Sequence, residues 1–393
     1  MKLIRVAILG STGSIGINAL KVIERFPERF KVTALTAYNN FGLLEKQVRK
    51  FAPSHVAVGS SGRKYFKKHL NLKKVKLYDA DEQISEIAAL KEVDIVVLAI
   101  RGSAALLPFL SAAQAGKRIA PANKEALVIA GGLIVKEVKK YGASIIPIDS
   151  EQSAIFQCLQ GRGKNELKKI YLTASGGPLC DIKKNRFSRL SVREVLRHPR
   201  WKMGKKITVD SATLMNKGFE VLEARWLFDV DVKNIDVVVH PEAVIHSMVE
   251  FNDGSILAQL GITDMRLPIQ YALTYPDRLA SGLKQIDFFK LAKLTFKKPD
   301  LNKFPALSLA FYAAKKGETY PCALNAANEE AVDAFLNGYL NFSKIYGVVE
   351  KVVLAHRPVK DPGLHDINLA DQWARDKART LIFSGRSQAR KNS

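Results

Sequence analysis

The sequence predicts an α/β protein: an N-terminal doubly wound, Rossmann-like domain, a central α+β domain and a C-terminal helical bundle. Three observations carry this. The first 149 residues alternate strand-like and helix-like runs, residues 150–274 mix the two without alternating, and from residue 306 only helical periodicity remains.

In chain order, apolar runs at 4–9, 31–36, 55–58, 94–100, 118–121 and 144–148 read as strands. Helical stretches such as 15–25 and 84–90 lie between them. That alternation predicts a parallel sheet with helices on both faces, whose ligands gather at the carboxyl ends of the strands. Residues 1–149 are therefore expected to form a nucleotide-binding domain. Strand-like runs at 170–173, 237–239 and 256–259 and a helix near 219–227 make up the central domain, 150–274. Residues 275–305 carry Pro276, Pro299 and Pro305 and read as a linker. Helical runs at 306–316, 328–336, 344–356 and 371–383 could pack as a bundle within 306–393, with a frayed tail from 385.

With 393 residues, the chain has room for two or three domains. Hydrophobic residues at 47% and charged residues at 25% suit a soluble globular protein. Cys158, Cys180 and Cys322 are far apart and form no C-x-x-C pair, which argues for a reducing compartment and against a thiolate metal site. The start reads as a strand, not a secretory signal, and no apolar run approaches the roughly 20 residues of a membrane span. A cytoplasmic protein is expected. The net charge of +23 would suit a nucleic-acid binder, but the Lys-Lys pairs are scattered and no aromatic residues are interleaved with them. The charge reads as a solvated surface, with attraction of anionic ligands as the alternative.

The segment Gly10-Ser11-Thr12-Gly13-Ser14-Ile15-Gly16 follows the first strand and opens the first helix. Glycines there let the backbone approach a pyrophosphate, which the helix N-terminus attracts. The spacing is G-x-x-G-x-x-G, and a tight turn without ligand stays open as a second reading. After the second strand, residues 36–40 contain no acid of the kind that bonds the ribose 2′-hydroxyl of NAD. NADP is therefore preferred, with Asn39 and Asn40 as amide donors to its phosphate or as turn residues.

Asp149 and Glu151 flank Ser150 just after the run 144–148. In an extended segment, carboxylates at i and i+2 point to one side and could share a hard cation. With Glu220 they offer three oxygen ligands that suit Mg²⁺ or Mn²⁺, although surface carboxylates are far commoner than ligands. Ser175-Gly176-Gly177-Pro178 is either a phosphate seat or a plain turn. Ser211, Asn216 and Lys217 add hydroxyl, amide and ammonium donors suited to a phosphate monoester. Trp201, in a Gly/Pro-bounded loop with His198, Met203 and Gly204, fits a lid or a Trp tucked against the surface. His240 and His246 read as structural, and Asn325–Glu329 reads as an Asn-capped helix start.

Taken in order, GSTGSIG at 10–16, ANKE at 122–125, DSE at 149–151, SGGP at 175–178, HPRWKMG at 198–204, VDSATLMNKGFE at 209–220, HPEAVIHSM at 240–248, DMRLPI at 264–269 and ALNAANE at 323–329 resemble the 1-deoxy-D-xylulose 5-phosphate reductoisomerase family. The resemblance covers most of the chain. It implies a homodimer whose central domain is catalytic and carries a mobile flap, acting on a sugar phosphate with NADPH and Mg²⁺, Mn²⁺ or Co²⁺. It implies no membrane or nucleic-acid partner. It assigns Asp149, Glu151 and Glu220 to the metal, and Ser150 and Lys124 to the reacting end of the substrate. Ser175, Ser211, Asn216 and Lys217 fall to its phosphate, and His198, Trp201 and Met203 to the flap over substrate and nicotinamide. Gly10, Thr12, Gly13, Ser14, Ile15, Gly16, Asn123, Glu125 and Gly204 fall to the coenzyme. The implied reaction is a retro-aldol cleavage and aldol recombination followed by hydride transfer. Tyr38 and Asn39 stand where the family places a glycine and then a small or basic residue, Arg101 is bulkier than the family residue, and Leu179-Cys180 replaces an aromatic and a basic residue.

Two rival readings make different demands. A semialdehyde dehydrogenase needs a nucleophilic cysteine in a suitable site. A basic nucleic-acid binder predicts steeply salt-dependent duplex binding.

Overall fold

The computed structural model describes residues 3–69, 74–198, 201 and 203–389, and it divides into two units. The first comprises Met1–Ala126, Ile134–Phe156 and Asp264–Gln285. Its sheet has seven strands: β1 (Ile4–Leu9), β2 (Phe30–Ala37), β3 (His55–Val58), β4 (Lys76–Asp79), β5 (Ile95–Leu98), β6 (Arg118–Pro121) and β7 (Ser144–Ile145). All pair in parallel, in the order β4-β3-β2-β1-β5-β6-β7. The order turns back between β1 and β5, so their carboxyl ends open the crevice where such sheets bind ligands. β1 and β5 are buried on both faces, as a covered parallel sheet requires, and read as continuous apolar runs. Ile269, Ala272 and Leu273 of the helix Arg266–Thr274 share this core with Val6, Ile8, Ile95 and Val97. β4 went unread in the sequence because two of its four residues are polar or charged and its run, Lys-Leu-Tyr-Asp, is short.

The second unit comprises Leu127–Leu133, Gln157–Thr263 and Ile286–Ser393. It holds a mixed sheet of β8 (Leu167–Ala174), β9 (Ile235–Val239), β10 (Ile245–Phe251) and β11 (Ile256–Leu260), ordered β11-β10-β8-β9. β8 and β9 are parallel, and the other pairs are antiparallel. The central strand β10 escaped the sequence reading, because His246, Ser247 and Glu250 interrupt its apolar pattern. The helix Met215–Phe228 crosses Pro305–Lys316 closely: a Cβ on Gly218 would lie 2.3 Å from the Ala310 Cβ. Helices Tyr320–Leu336, Ile345–Ala355 and Leu364–Ala389 pack as the expected bundle. Between residues 286 and 304 the chain has one short helix, Phe288–Leu291, and a single bridge from Lys297 to Val239.

Two expectations are corrected. Asn325 and Asn328 do not start a helix; they lie inside Tyr320–Leu336, which begins with Pro321 in its first turn. The last helix does not end at 385: it continues to Ala389, although Gly385 and Ser387 are weak helix formers; residues 390–393 lie outside the described ones.

Candidate active site

The glycine loop sits at the crevice of the first unit. Gly10 has φ +91°, and a Cβ there would lie 2.6 Å from the Ala99 carbonyl oxygen. A Cβ on Gly16 would lie 2.4 Å from the Gly10 oxygen, so this glycine packs the helix Ser14–Glu24 onto the turn. Gly13 differs. Its nearest neighbour would be 3.4 Å away, so the protein's own packing does not require a glycine there, while a close ligand would. Gly13 also caps the helix without a side-chain bond, leaving the N-terminus available to an anion. Thr12 and Ile15 are half-buried and Ser14 is exposed in the same turn. Ser11 is structural, its hydroxyl donating to Gln47 Oε1 at 2.7 Å.

Asn39 and Asn40 are exposed beyond β2, but Asn40 Oδ1 accepts the Leu43 N–H at 3.3 Å and caps the next helix. The absence of an acid in residues 36–40 does not leave this end free of acids. Asp81, just past β4, lies beside the Tyr38 hydroxyl, which helps to lower its pKa, and accepts the Ser60 Oγ at 2.6 Å. The fold brings in from another strand what the local sequence lacks. Asn123 is buried, with its amide donating to the Ile100 oxygen at 2.6 Å and to that of Gly102 at 3.3 Å. It therefore fixes the loop after β5, and Arg101 projects exposed from that loop. Glu125 is half-buried in the first turn of the helix Glu125–Tyr141.

Asp149 and Glu151 are not on an extended segment, which corrects the geometry expected for them. Residue 150 already begins the helix Ser150–Cys158, and Asp149 Oδ1 accepts the Glu151 N–H at 3.2 Å across the turn. The chain turns here because the Asp149 side chain satisfies a free helix N–H group. The Ser150 hydroxyl donates to Glu151. The buried Lys124 ammonium lies 2.6 Å from Asp149 Oδ2. An ammonium and a carboxylate removed from water persist only when paired.

In the second unit, Ser175 follows β8 into a turn where Gly176 and Gly177 have φ +89° and +72°. A Cβ on Gly177 would lie 2.3 Å from the Ser211 oxygen, so this glycine lets the turn sit against Ser211. The sequence-predicted Ser175 and Ser211 segments thus meet. Asn216 Nδ2 donates to Glu220 Oε1 at 2.6 Å, and the Lys217 ammonium pairs with Glu220 Oε2. Lys217 and Glu220 are both buried. Their spacing of three places them on one face of a helix turn.

His198 is bound on both sides. Its Nδ1 accepts the Trp201 N–H at 2.9 Å, which places the ring proton on Nε2, 3.3 Å from Ser175 Oγ. Burial lowers its pKa from 6.5 to about 4, so the ring is a neutral donor at pH 7. The Trp201 ring centroid lies 6.4 Å from that of His246. Met203 is half-buried, and Gly204 caps the helix Lys205–Thr213. Pro199, Arg200 and Lys202 of the expected flap lie outside the described residues.

Sequence reasoning missed one group. Asp210, next to Ser211, is buried and accepts Lys206 Nζ at 2.9 Å and Asn328 Nδ2 at 2.7 Å. The signal was a pair of asparagines at i and i+3 inside an Ala-rich helix, where apolar residues are usual. Cys322 is buried and its thiol pKa is pushed up, and Cys158 is buried, so neither resembles an activated nucleophile. His240 is fully buried, with ring bonds to Thr295 and Val244, as the structural reading expected. Among the described residues, no helix is long and apolar enough to cross a membrane.

Comparison with known proteins agrees along the whole chain. Three family signatures match: 1-deoxy-D-xylulose 5-phosphate reductoisomerase at residues 6–131, its C-terminal domain at 145–228, and the DXP reductoisomerase C-terminal domain at 260–377. The 1-deoxy-D-xylulose 5-phosphate reductoisomerase of Chlorobaculum tepidum is 49% identical, covering 96% of this chain and 99% of that one. Its counterpart from Thermodesulfovibrio yellowstonii is 48% identical, covering 96% and 99%. A crystal structure of DOX-P reductoisomerase with NADPH, fosmidomycin and magnesium has a TM-score of 0.92 at 41% identity, covering 97% of this chain and 98% of that one. The Zymomonas mobilis enzyme with NADPH has a TM-score of 0.91 at 39% identity, covering 98% and 100%. The chain belongs to the 1-deoxy-D-xylulose 5-phosphate reductoisomerase family.

Proposed function

We propose that this chain converts 1-deoxy-D-xylulose 5-phosphate to 2-C-methyl-D-erythritol 4-phosphate, an oxidoreductase step of isoprenoid precursor synthesis that uses NADPH and a divalent cation. The observation that carries the reading is Glu220, a buried carboxylate held between Asn216 and Lys217 in the unit that also gathers Ser175, His198 and Ser211. Asp149, Glu151 and Glu220 are the ligands of Mg²⁺ or Mn²⁺, with Co²⁺ as a further choice. Their donors are all carboxylate oxygens, and two of the three already carry an ammonium as counter-charge. When bound, the cation supplies Lewis-acid stabilisation of oxyanions and NADPH supplies the hydride.

The chain's own residues bind and orient. Ser175, Ser211, Asn216 and Lys217 take the substrate phosphate. An ammonium carries three donor hydrogens and an amide two, so Lys217 and Asn216 can serve a carboxylate and a phosphate together. His198 acts as a neutral Nε2–H donor beside Ser175. Lys124 and Ser150 face the reacting end. Trp201 and Met203 exclude water there, with Met203 and Gly204 against the nicotinamide. Thr12, Gly13, Ser14 and Ile15, between Gly10 and Gly16, hold the coenzyme pyrophosphate, and Asn39, Asn40, Asn123 and Glu125 make further contacts to it.

We further propose a cytoplasmic homodimer in which residues 1–149 bind coenzyme, 150–274 catalyse and dimerise, 275–305 connect, and 306–393 complete the fold. The edge strand β11 supports a dimer, with Ile256 and Leu257 exposed on it. Product analysis tests the function: ¹³C-labelled substrate with NADPH and Mg²⁺ should give a branched tetritol phosphate. A straight-chain reduced product would contradict the rearrangement.

A further inference from the structure

Tyr38 is exposed and yet fixed. It stands at the carboxyl end of β2, the position at which parallel nucleotide-binding sheets hold the adenosine ribose. The residue is 61% exposed. Its hydroxyl lies beside Asp81, whose carboxylate raises its pKa above the ordinary tyrosine value. One ring edge lies on Gly59, where an added Cβ would be 3.3 Å from two ring carbons and 2.8 Å from the Tyr38 oxygen. Asp81 is itself held: Ser60 donates to it from the backbone N–H at 3.0 Å and from Oγ at 2.6 Å. The basic residue of this corner, Arg63, faces Asp79 at 3.4 Å. Residues 36–40 contribute no cation. A rigid, open aromatic ring and an anion thus occupy the corner, without a local cation from β2.

Such a corner suits an adenine better than a phosphate. A planar ring seated by its edge on Gly59 offers a face on which a purine stacks with little loss of side-chain freedom. A carboxylate fixed nearby repels a 2′-phosphate and leaves a 2′-hydroxyl unaffected. We propose that Tyr38 holds the adenosine end of the coenzyme by stacking on the base, and that Asp81, held beside it by Ser60, lowers the discrimination between NADPH and NADH. The inference rests on the coenzyme use proposed above and names the residues that set its selectivity.

The experiment is coenzyme binding to the full-length protein, followed by the fluorescence of reduced nicotinamide, for NADPH and NADH separately. Y38A should raise the Kd of both coenzymes by the same factor, about tenfold. Y38F keeps the ring and should bind both coenzymes within about twofold of wild type. D81N should strengthen NADPH relative to NADH by about threefold. Melting temperatures close to wild type exclude a folding effect, as expected for an exposed ring. Wild-type affinity for both coenzymes in Y38A would overturn the stacking role, and so would a loss confined to NADPH. An unchanged NADPH-to-NADH ratio in D81N would overturn the role of Asp81. Wild-type protein that binds neither coenzyme would defeat the oxidoreductase reading itself, an outcome distinct from failure of Tyr38 alone.

Discussion

Glu220 is anchored by two neighbours on its own helix, and this makes its substitution informative. Glu220→Gln removes a negative charge and leaves the Lys217 ammonium buried without its counter-ion. Apparent Mg²⁺ affinity should weaken by at least about tenfold, read by calorimetry, with turnover falling in parallel. Normal metal affinity with lost turnover would contradict a ligand role. Lys217→Ala should raise KM for the phosphorylated substrate by roughly tenfold or more, the loss expected when a charged donor to a phosphate is removed. An unchanged KM would remove Lys217 from the phosphate site. His198 gives a pH signature. Its folded pKa of about 4 lies below the ordinary 6.5, so as pH falls through that window the unfolded chain takes up a proton that the folded chain refuses. The stability this group contributes is full above about pH 6.5 and is lost towards pH 4. Wild type should therefore lose more melting temperature than H198Q between neutral and mildly acidic pH; parallel losses would show the ring to be titrating normally.

Elements are set by where the backbone must come close. Gly16→Ala would force a methyl group to 2.4 Å from the Gly10 oxygen. It should destabilise the protein by about 1–3 kcal/mol in denaturant titration, with coenzyme affinity falling as the turn is displaced. Gly131 plays a similar part in the second unit, where an added Cβ would lie 2.1 Å from the Trp226 ring, next to a helix kink at Ala130. Most strands of the parallel sheet were legible because they are buried and separated by helices; the partly exposed edge strand β4 was not. β1, β3 and β6 fall where their apolar runs place them. β10 was not legible, because its polar residues find partners only in the folded unit, as His246 does at the Ile262 oxygen. The site shows the same division. Gly10, Gly13 and Gly16 announce their loop through spacing. The contact of Tyr38 with Asp81 joins residues 43 positions apart, and that of Asp210 with Asn328 joins residues 118 apart. No local pattern encodes either.

At the scale of the whole molecule, the chain carries a glycine-lined crevice in one unit and, in the other, the proposed phosphate donors, of which Lys217 is buried, beside the buried Glu220 carboxylate. The large positive charge is compatible with anionic substrate and coenzyme, since a basic surface raises their local concentration. Its effect should appear as a fall in kcat/KM with rising salt and little change in kcat. On the proposed function, one chain couples a divalent cation and NADPH to a phosphorylated ketose. The most direct test follows NADPH oxidation by its absorbance, with 1-deoxy-D-xylulose 5-phosphate and Mn²⁺, beside a chelator-treated control. Oxidation should require both substrate and metal and return when metal is added back. Folded, metal-loaded protein that leaves NADPH unoxidised, or oxidation that survives chelation, would contradict that function.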